Sequence, residues 1–237
     1  MSGETAGGWV WEPAPRPALP IDGSGRRFPV RRIYCVGQNY REHALEMGGS
    51  GREPPFFFAK PADAVCTLSV VPYPPMTQDL HHEVELVVAL RGGGRDLEPD
   101  DALARVFGYG VGVDLTRRDL QAAAKRGGRP WTTSKGFDCS APVSLLQPVE
   151  RCGHPVAAAI SLDVNGAPRQ SGNTAFMTWS VPEIIAELSR FFELQAGDLI
   201  FTGTPPGVGP LVPGDHVECE VEGVGRLEFR VERMGSE

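Results

Sequence analysis

The sequence predicts an α+β domain dominated by mixed or antiparallel β-sheet, on the basis of three observations. The 237 residues include 29 glycines and 22 prolines, which is more turn punctuation than a helical bundle tolerates. Short segments with the apolar alternation of strands are mixed with only a few segments of helical periodicity. The predicted strands and helices do not alternate regularly, so a parallel sheet built from βαβ units is not expected.

The first half of the chain is predicted to be a proline-rich arm followed by the beginning of one larger domain. The arm covers residues 1–29, and we expect it to lie on the surface or on a neighbouring subunit, or to form a loose tail. The domain covers 30–237 and begins with a strand at 30–37. A short helix follows at 39–48, capped by Asn39, and 52–65 and 81–94 are predicted to be strands.

The second half continues the mixed pattern. Residues 99–128 predict a helix, a glycine-spaced strand up to Asp114 and a second helix. Residues 159–172 predict a hairpin around Asn165-Gly166. The longest amphipathic helix is expected at 180–198, with strands and a glycine–proline loop in 199–232.

Composition excludes several classes of partner. The 23 basic and 30 acidic residues give a net charge of −7, which argues against nucleic acid and anionic membranes as partners. No apolar run reaches the roughly 18 residues needed to span a bilayer. No basic-then-apolar leader opens the sequence, so export is not expected. Five scattered cysteines without a C-x-x-C motif predict free thiols in the cytoplasm.

Three acidic residues form a candidate metal site. Glu83 and Glu85 are two apart in a predicted strand, so their carboxylates point to the same face. Taken alone, this pair is more typical of solvated glutamates on an exposed strand. Asp114 stands where a glycine-rich strand gives way to a helix, and it could meet the pair at a shared strand end. Such an oxygen set favours Mg²⁺ or Mn²⁺, with Ca²⁺ as a further candidate, over zinc.

A second candidate group lies on the predicted helix 39–48. His43 and Glu46 are three residues apart and therefore neighbours on the helix surface. A carboxylate beside an imidazole orients the ring and raises its basicity, as is needed to deprotonate water. Taken alone, the pair is more typical of a solvated surface pair. The helix is short and followed by Gly-Gly-Ser-Gly, which would suit a lid over a substrate.

A third group contains cationic and polar residues: Lys60, Arg118 with Gln121 one helical step away, and Lys135 after three hydroxyl residues. Each cation taken alone is more often a surface charge than a ligand-binding group. The glycine–proline loop at 201–209 could bind an anionic group through its backbone N–H groups. As a lone feature it is an ordinary turn, since it lacks the Lys-Ser/Thr ending of a P-loop.

In order along the chain, these motifs resemble the fumarylacetoacetate hydrolase superfamily, and within it the fumarylpyruvate hydrolases of gentisate breakdown. The resemblance starts at about Val30 and is carried by "YCVGQNYREHALEMG", "PPFFFAKPADAV", "DLHHEVELVVAL", "GYGVGVDLTRRDLQ", "RPWTTSKGFDCSAPV", "VNGAPRQSGNTAFM" and "GDLIFTGTPPGVGP". It implies a mixed β-roll of the C-terminal-domain type and a homodimer. The chain departs from the family in carrying Gln38 where relatives usually have Arg, which puts in doubt any contact made by that cation.

The resemblance also implies roles for the candidate residues. Glu83, Glu85 and Asp114 would hold the divalent metal, and His43 with Glu46 would activate water from a lid. Lys135 would help to hold the enolate of the product. The residues expected to line the substrate pocket are Arg118, Gln121, Lys135 and Thr204, together with Lys60.

The implied reaction is hydrolysis of a C–C bond in a 2,4-diketo acid, with fumarylpyruvate giving fumarate and pyruvate. The alternatives within the superfamily are an acylpyruvate hydrolase, an oxaloacetate decarboxylase or a dienedioate isomerase, because all bind a chelating 2-keto acid. A different class, a catalytically silent protein that only binds a keto acid, is disfavoured by the complete set of candidate catalytic residues.

Overall fold

The computed structural model describes residues 8–40 and 53–233 of the chain. The strands are β1 (Ala18–Pro20), β2 (Arg27–Pro29), β3 (Arg32–Gly37), β4 (Phe56–Lys60), β5 (Val65–Cys66), β6 (Val70–Pro72), β7 (Leu80–His82), β8 (Val84–Leu90), β9 (Val106–Val113), β10 (Thr116–Arg117), β11 (Ala141–Pro142), β12 (Gln147–Pro148), β13 (Ala159–Val164), β14 (Ala167–Asn173), β15 (Asp198–Phe201), β16 (Gly209–Leu211), β17 (His216–Val221) and β18 (Gly225–Glu232). The α-helices are α1 (Pro99–Ala102), α2 (Arg118–Arg126), α3 (Thr132–Lys135), α4 (Val149–Cys152) and α5 (Val181–Phe191).

Two large mixed sheets form the body of the domain. The six-stranded sheet has the order β12-β9-β8-β15-β3-β4, and the five-stranded sheet has the order β14-β13-β17-β18-β6. Most neighbours are antiparallel, but β15 with β3 and β18 with β6 are parallel. The prediction of an α+β fold with mixed sheet is therefore confirmed, and three smaller sheets complete the described part of the chain.

The main hydrophobic core lies between these two sheets. Leu86 and Val88 of β8 meet Ile160 and Leu162 of β13 there, and α5 adds Leu188 to the same cluster. A second cluster covers the opposite face of β8, so all seven residues of that strand are buried. Burial on both faces makes β8 a rigid element, since every side chain is held by close packing.

The second cluster includes part of the proline-rich segment. Strands β1 and β2 pair as an antiparallel hairpin, which places Leu19 opposite Phe28. Both side chains are buried in the second cluster, which also holds Val87 from β8. The described part of the proline-rich segment is thus packed against the domain around residues 18–29.

The predicted strand at 81–94 is wrong in one respect, because it is two strands that belong to different sheets. Strand β7 pairs with β10 and β16, whereas β8 pairs with β9 and β15. The interruption falls at Glu83. The Gln170 side chain accepts a hydrogen bond from the Val84 backbone N–H at 3.1 Å, close to this interruption.

The structure tests two other predicted elements, and a third lies almost wholly outside the described residues. The hairpin at Asn165-Gly166 is confirmed, and both residues have the positive φ that this tight turn requires, 54° and 73°. The predicted helix 180–198 is too long, because it ends at Phe191 and Leu194 then pairs through its backbone with Gly94. The predicted helix 39–48 lies almost wholly outside the described residues.

Among the described residues, no helix is both long enough and apolar enough to cross a bilayer.

Candidate active site

The three acidic residues grouped from the sequence come together in the structure. Glu83, Glu85 and Asp114 are buried, and one carboxylate oxygen from each lies within 4.8 Å of the others. Glu85 projects from β8 opposite Gly112 of β9, and Asp114 follows the end of β9. The Asp114 backbone N–H also donates to the Glu83 carbonyl oxygen at 2.8 Å. Pairing of β8 with β9 therefore positions the carboxylate triad.

A loop after β15 holds the carboxylate of Glu85 in place. The Gly203 backbone N–H donates to Glu85 Oε2 at 2.7 Å. Gly203 has a φ of +96°, and a Cβ at this position would lie 2.7 Å from Asn39 Cβ. Only glycine combines this backbone conformation with such a close approach. Position 203 therefore requires glycine to bring its N–H group onto Glu85.

Asn39 ties this loop to two other segments. Its side-chain amide donates to the carbonyl oxygens of Thr202 at 2.8 Å and Trp179 at 2.9 Å. Its side-chain oxygen accepts the Trp179 backbone N–H at 2.8 Å. Among the described residues, the polar side-chain atoms of Asn39 thus bind two other loops, and its predicted role as a helix cap stays a prediction because the helix lies outside the described residues.

Two buried lysines and an arginine balance part of the negative charge. Lys135 Nζ donates to Glu83 Oε2 at 2.8 Å and to Asp114 Oδ2 at 2.7 Å. Lys60 Nζ lies 2.8 Å from Asp114 Oδ1. The Arg118 guanidinium forms an ion pair with Glu83. These cations contact Glu83 and Asp114, and the hydrogen bond from Gly203 is the contact that the described residues give to the Glu85 carboxylate.

This uneven pairing separates the proton affinities of the two glutamates. Burial alone would raise the pKa of Glu83, but the neighbouring Lys135 and Arg118 lower this pKa below its ordinary value. Burial, followed by repulsion from Asp114 and Glu83, raises the pKa of Glu85 well above its ordinary value. Burial disfavours the ammonium of Lys135, yet Asp114 and Glu83 together raise its pKa, so Lys135 is positively charged near neutral pH.

The donor set fits a hard divalent cation. Three carboxylate oxygens converge, and the ionised form of Glu85 is costly unless a positive charge lies beside it. Oxygen ligands of this kind are those that Mg²⁺, Mn²⁺ and Ca²⁺ take in proteins. A metal bound by Glu83, Glu85 and Asp114 would supply the charge that the side chains around Glu85 lack.

A cleft opens at the triad, and all three carboxylates line it. At its inner end lie the charged side chains of Glu83, Glu85, Asp114, Arg118 and Lys135. Its outer wall contains the aromatic side chains of Phe56, Phe58 and Trp131. The lining residues are Val36, Gly37, Gln38, Phe56, Phe58, Glu83, Glu85, Asp114, Arg118, Gln121, Lys125, Trp131, Lys135 and Thr204. This combination of a polar floor with an apolar wall suits a small polar molecule with an unsaturated or hydrophobic end.

Most of the predicted pocket residues lie at the cleft, with one difference. Arg118, Gln121, Lys135 and Thr204 line it, and Arg118 also donates to the Gln121 side-chain oxygen. Lys60 lies behind Asp114, where its ammonium is bound by the Leu115 and Lys135 backbone carbonyl oxygens. Lys60 therefore supports Asp114 from the protein side instead of facing the cleft.

The last predicted site residues to compare with the structure are Gln38 and the pair His43 and Glu46. Gln38 lines the cleft and has a φ of 56°, which is unusual for a residue with a side chain. Its amide stands where the family resemblance suggested a cation. His43 and Glu46 lie outside the described residues, so their water-activating role stays a prediction.

Sequence reasoning missed a buried glutamine that links the elements beneath the cleft. The Gln170 amide donates to Thr204 Oγ1 at 2.8 Å and to the Pro205 carbonyl oxygen at 2.9 Å. Its oxygen pairs with His82 Nδ1 at 2.8 Å and accepts the Val84 N–H. Gln170 is 1% exposed, and all its hydrogen-bonding capacity is used. The sequence holds no local signal for it, since its partners are more than 30 residues away.

Sequence reasoning also missed the outer wall of the cleft. Lys125 lies on α2 with Arg118 and Gln121, at the i, i+3, i+7 spacing of one helix face. Its ammonium is 5.3 Å from the centre of the Trp131 ring. The helical spacing from Arg118 was a signal that could have identified Lys125 as a cleft residue.

Comparisons with known proteins identify relatives of this chain. A family model described as the fumarylacetoacetate (FAA) hydrolase C-terminal domain matches residues 32–232. Fumarylpyruvate hydrolase from Pseudomonas aeruginosa, solved in complex with Mn²⁺ and pyruvate, is 48% identical with a TM-score of 0.93, covering 96% of this chain and 100% of that chain.

Two further relatives differ in the activity that their names state. A structure from Burkholderia cenocepacia, provisionally designated a fumarylpyruvate hydrolase, is 55% identical with a TM-score of 0.91, covering 97% of this chain and 100% of that chain. The oxaloacetate tautomerase YcgM of Escherichia coli K12 is 42% identical over 198 residues, which are 83% of this chain and 90% of that protein. Both names describe proteins that act on a small keto acid.

Proposed function

The chain belongs to the fumarylacetoacetate hydrolase family, and on that basis we propose that it hydrolyses a C–C bond of a 2,4-diketo acid. The proposed substrate is fumarylpyruvate, and the products are fumarate and pyruvate. The single observation that carries this proposal is the buried carboxylate triad facing a cleft lined by Arg118 and Lys135. Similarity over nearly the whole chain to a fumarylpyruvate hydrolase solved with pyruvate supports the choice of substrate.

The proposed cofactor is a divalent metal, Mn²⁺ or Mg²⁺, with Ca²⁺ as a further candidate. Glu83, Glu85 and Asp114 would hold it. The Mn²⁺ in the structure of the similar P. aeruginosa enzyme supports this assignment. When bound, such an ion acts as a Lewis acid that stabilises negative charge on the oxygens of the keto acid.

Lys135 has the proposed role of stabilising the pyruvate enolate. Its ammonium lies at the inner end of the cleft and is held by Glu83 and Asp114. The raised pKa keeps Lys135 protonated, so it acts as a charged hydrogen-bond donor and not as a base. Such a fixed donor favours the transition state as negative charge develops on the substrate.

The proposed base is His43, oriented by Glu46. It would accept a proton from water as the water attacks the C4 carbonyl, and cleavage of the C3–C4 bond would then release the pyruvate enolate. Arg118, Gln121 and Thr204 would orient the substrate, since each lines the cleft. The Thr204 hydroxyl already donates to the Val84 carbonyl oxygen at 2.8 Å, which fixes the position of this residue.

Enol–keto conversion of oxaloacetate is a second candidate function. The 42% identity to an oxaloacetate tautomerase favours it, because oxaloacetate is also a chelating 2-keto acid. The two candidate substrates share the keto acid group and differ at the distal end. The inner end of the cleft therefore serves both, and the outer wall distinguishes them.

A substrate panel tests the proposed function. The full chain is loaded with Mn²⁺ or Mg²⁺ and mixed with fumarylpyruvate, acetylpyruvate or oxaloacetate, with and without a chelator. We expect the ultraviolet absorbance of the conjugated diketone to fall as pyruvate appears, and the chelator to stop this. Turnover of oxaloacetate alone, with no loss of fumarylpyruvate, would contradict the proposed hydrolase and support the second candidate.

We further propose a cytoplasmic homodimer. The odd number of scattered cysteines supports a reducing compartment. A mass measurement in solution, by light scattering on a sizing column, tests the dimer directly.

A further inference from the structure

The outer wall of the cleft carries a cation that differs from the others. Lys125 is on the last turn of α2, seven residues after Arg118, and both line the cleft. Arg118 and Lys135 are each paired with a buried carboxylate. Across residues 8–40 and 53–233, no ion pair joins a carboxylate to Lys125, whose ammonium lies over the Trp131 ring.

Trp131 is held in place by two other aromatic residues. The rings of Phe56 and Phe58 both approach the Trp131 ring edge-on, at 5.6 Å between centroids. All three side chains line the cleft beside Lys125. This cluster forms an apolar wall between two positive charges, because Lys125 lies over the Trp131 ring and Lys135 Nζ lies 5.1 Å from the centre of the Phe58 ring.

The environment of Lys125 favours an anionic partner. The Lys125 side chain is exposed, but partial desolvation of its ammonium, followed by repulsion from Arg118, lowers the pKa of Lys125 below its ordinary value. A carboxylate placed beside the ammonium would offset both effects, because it compensates for lost hydration and for the nearby guanidinium. The face of Trp131 would meanwhile pack against a flat, conjugated carbon chain.

We propose that Lys125 binds the distal carboxylate of a dicarboxylic keto acid, while the aromatic wall of Phe56, Phe58 and Trp131 packs against the chain between its two ends. This inference rests on the proposed function in one respect, namely that the keto acid end lies at the carboxylate triad. It makes Lys125 the residue that distinguishes dicarboxylic substrates from monocarboxylic ones. The inner charges serve the keto acid group in both cases.

A binding experiment tests this without requiring turnover. The metal-loaded full chain is titrated calorimetrically with 2-oxoheptanedioate and with 2-oxoheptanoate, which have the same carbon number and differ in the distal carboxylate. The wild-type protein is expected to bind the diacid about ten- to a hundredfold more tightly, the range of one charged hydrogen bond. Lys125→Gln should remove that preference and leave the dissociation constant of the monoacid within about twofold.

Two variants sharpen the result. Lys125→Arg should restore much of the preference for the diacid, because it restores the positive charge. Arg126→Gln removes the same charge from the exposed neighbour on α2, which does not line the cleft, and should change neither constant.

Three outcomes would overturn the inference: no preference for the diacid in the wild-type protein, a preference that survives in Lys125→Gln, or equal weakening of both ligands. Equal weakening would mean that Lys125 only supports the wall. The proposed hydrolysis fails separately, through the absence of fumarylpyruvate turnover, because the ligands of this test are not 2,4-diketo acids.

Discussion

The two ends of the cleft differ in how their charges are matched. At the inner end, Lys135 bridges Glu83 and Asp114 at 2.8 and 2.7 Å, and Arg118 pairs with Glu83. At the outer end, the ammonium of Lys125 lies over the Trp131 ring, and within residues 8–40 and 53–233 no carboxylate forms an ion pair with it. Charges that are buried must be paired to be tolerated, whereas an exposed lysine carries no such requirement. The inner end is therefore constrained by folding as well as by chemistry, and the outer end is free to select the substrate.

Relatives of this chain carry names for different activities. A hydrolase of fumarylpyruvate and a tautomerase of oxaloacetate both resemble this chain closely. Both reactions use a 2-keto acid, which the inner end suits through its carboxylates and Lys135. The length and charge of the remainder of the substrate are left to the aromatic wall and Lys125.

The largest expected effect concerns catalysis at the inner end. His43→Ala should lower kcat by about 10²–10⁴, the usual contribution of a positioned general base. Metal affinity should be unchanged, because the triad consists of Glu83, Glu85 and Asp114. Steady-state kinetics and a Mn²⁺ titration on the same preparation check both statements. Full activity in His43→Ala would remove this residue from the mechanism.

The next effect compares the stability of the two ends directly. Lys135→Met leaves Glu83 and Asp114 without their shared cation and should lower the free energy of unfolding by about 3–5 kcal/mol. Lys125→Met removes an exposed charge and should change it by less than about 0.5 kcal/mol. Urea unfolding in the presence of chelator measures both. Similar losses in the two variants would mean that the two ends are not differently constrained.

A smaller loss of stability is expected when Gln170, the buried glutamine beneath the cleft, is replaced. Gln170→Leu leaves the Val84 N–H and other buried groups without their partner and should cost about 1–3 kcal/mol. Arg169→Ala, at the exposed neighbouring position on β14, is the matched control and should have little effect. Equal thermal stability of the two variants would show that other groups satisfy the Gln170 partners.

The smallest expected effect is a change in pH dependence. The folded-state pKa of Glu85 is raised, so the metal-free folded protein keeps a proton on Glu85 that the unfolded chain loses above about pH 4.3. The free energy of unfolding of the metal-free wild-type protein should therefore fall as the pH rises from about 4.3 towards the raised pKa of Glu85. Glu85→Gln lacks this contribution, and its advantage over the wild type should grow with pH. Melting temperatures measured in chelator from pH 5 to 8 check the sign, and an advantage that shrinks with rising pH would contradict it.

Much of the fold follows from local patterns in the sequence. Asn165-Gly166 marks a hairpin, because its two residues accept the positive φ of the turn. The amphipathic helix at 181 begins where Ser180 donates its backbone N–H to Glu183, a capping pair that is visible in the sequence. The early end of that helix was not visible, since Leu194 is held by a backbone pairing with the distant Gly94.

The candidate site also contains residues that the sequence could identify and residues that it could not. Glu83, Glu85 and Asp114 could be grouped from strand periodicity and the position of a strand end, and the structure brings them together. Gln170 could not be grouped with them, because it reaches the site from the other large sheet. Lys125 lay on a predicted helix face, but its position over the Trp131 ring depends on packing between separate segments.

Titration with Mn²⁺ tests the central claim most directly. Calorimetry or electron paramagnetic resonance on the full chain should detect one bound ion per chain in the wild-type protein. Glu85→Gln should lose that ion while remaining folded, because the substitution removes a ligand and a costly buried charge together. Unchanged stoichiometry and affinity in Glu85→Gln, or no bound ion in the wild-type protein, would contradict the account.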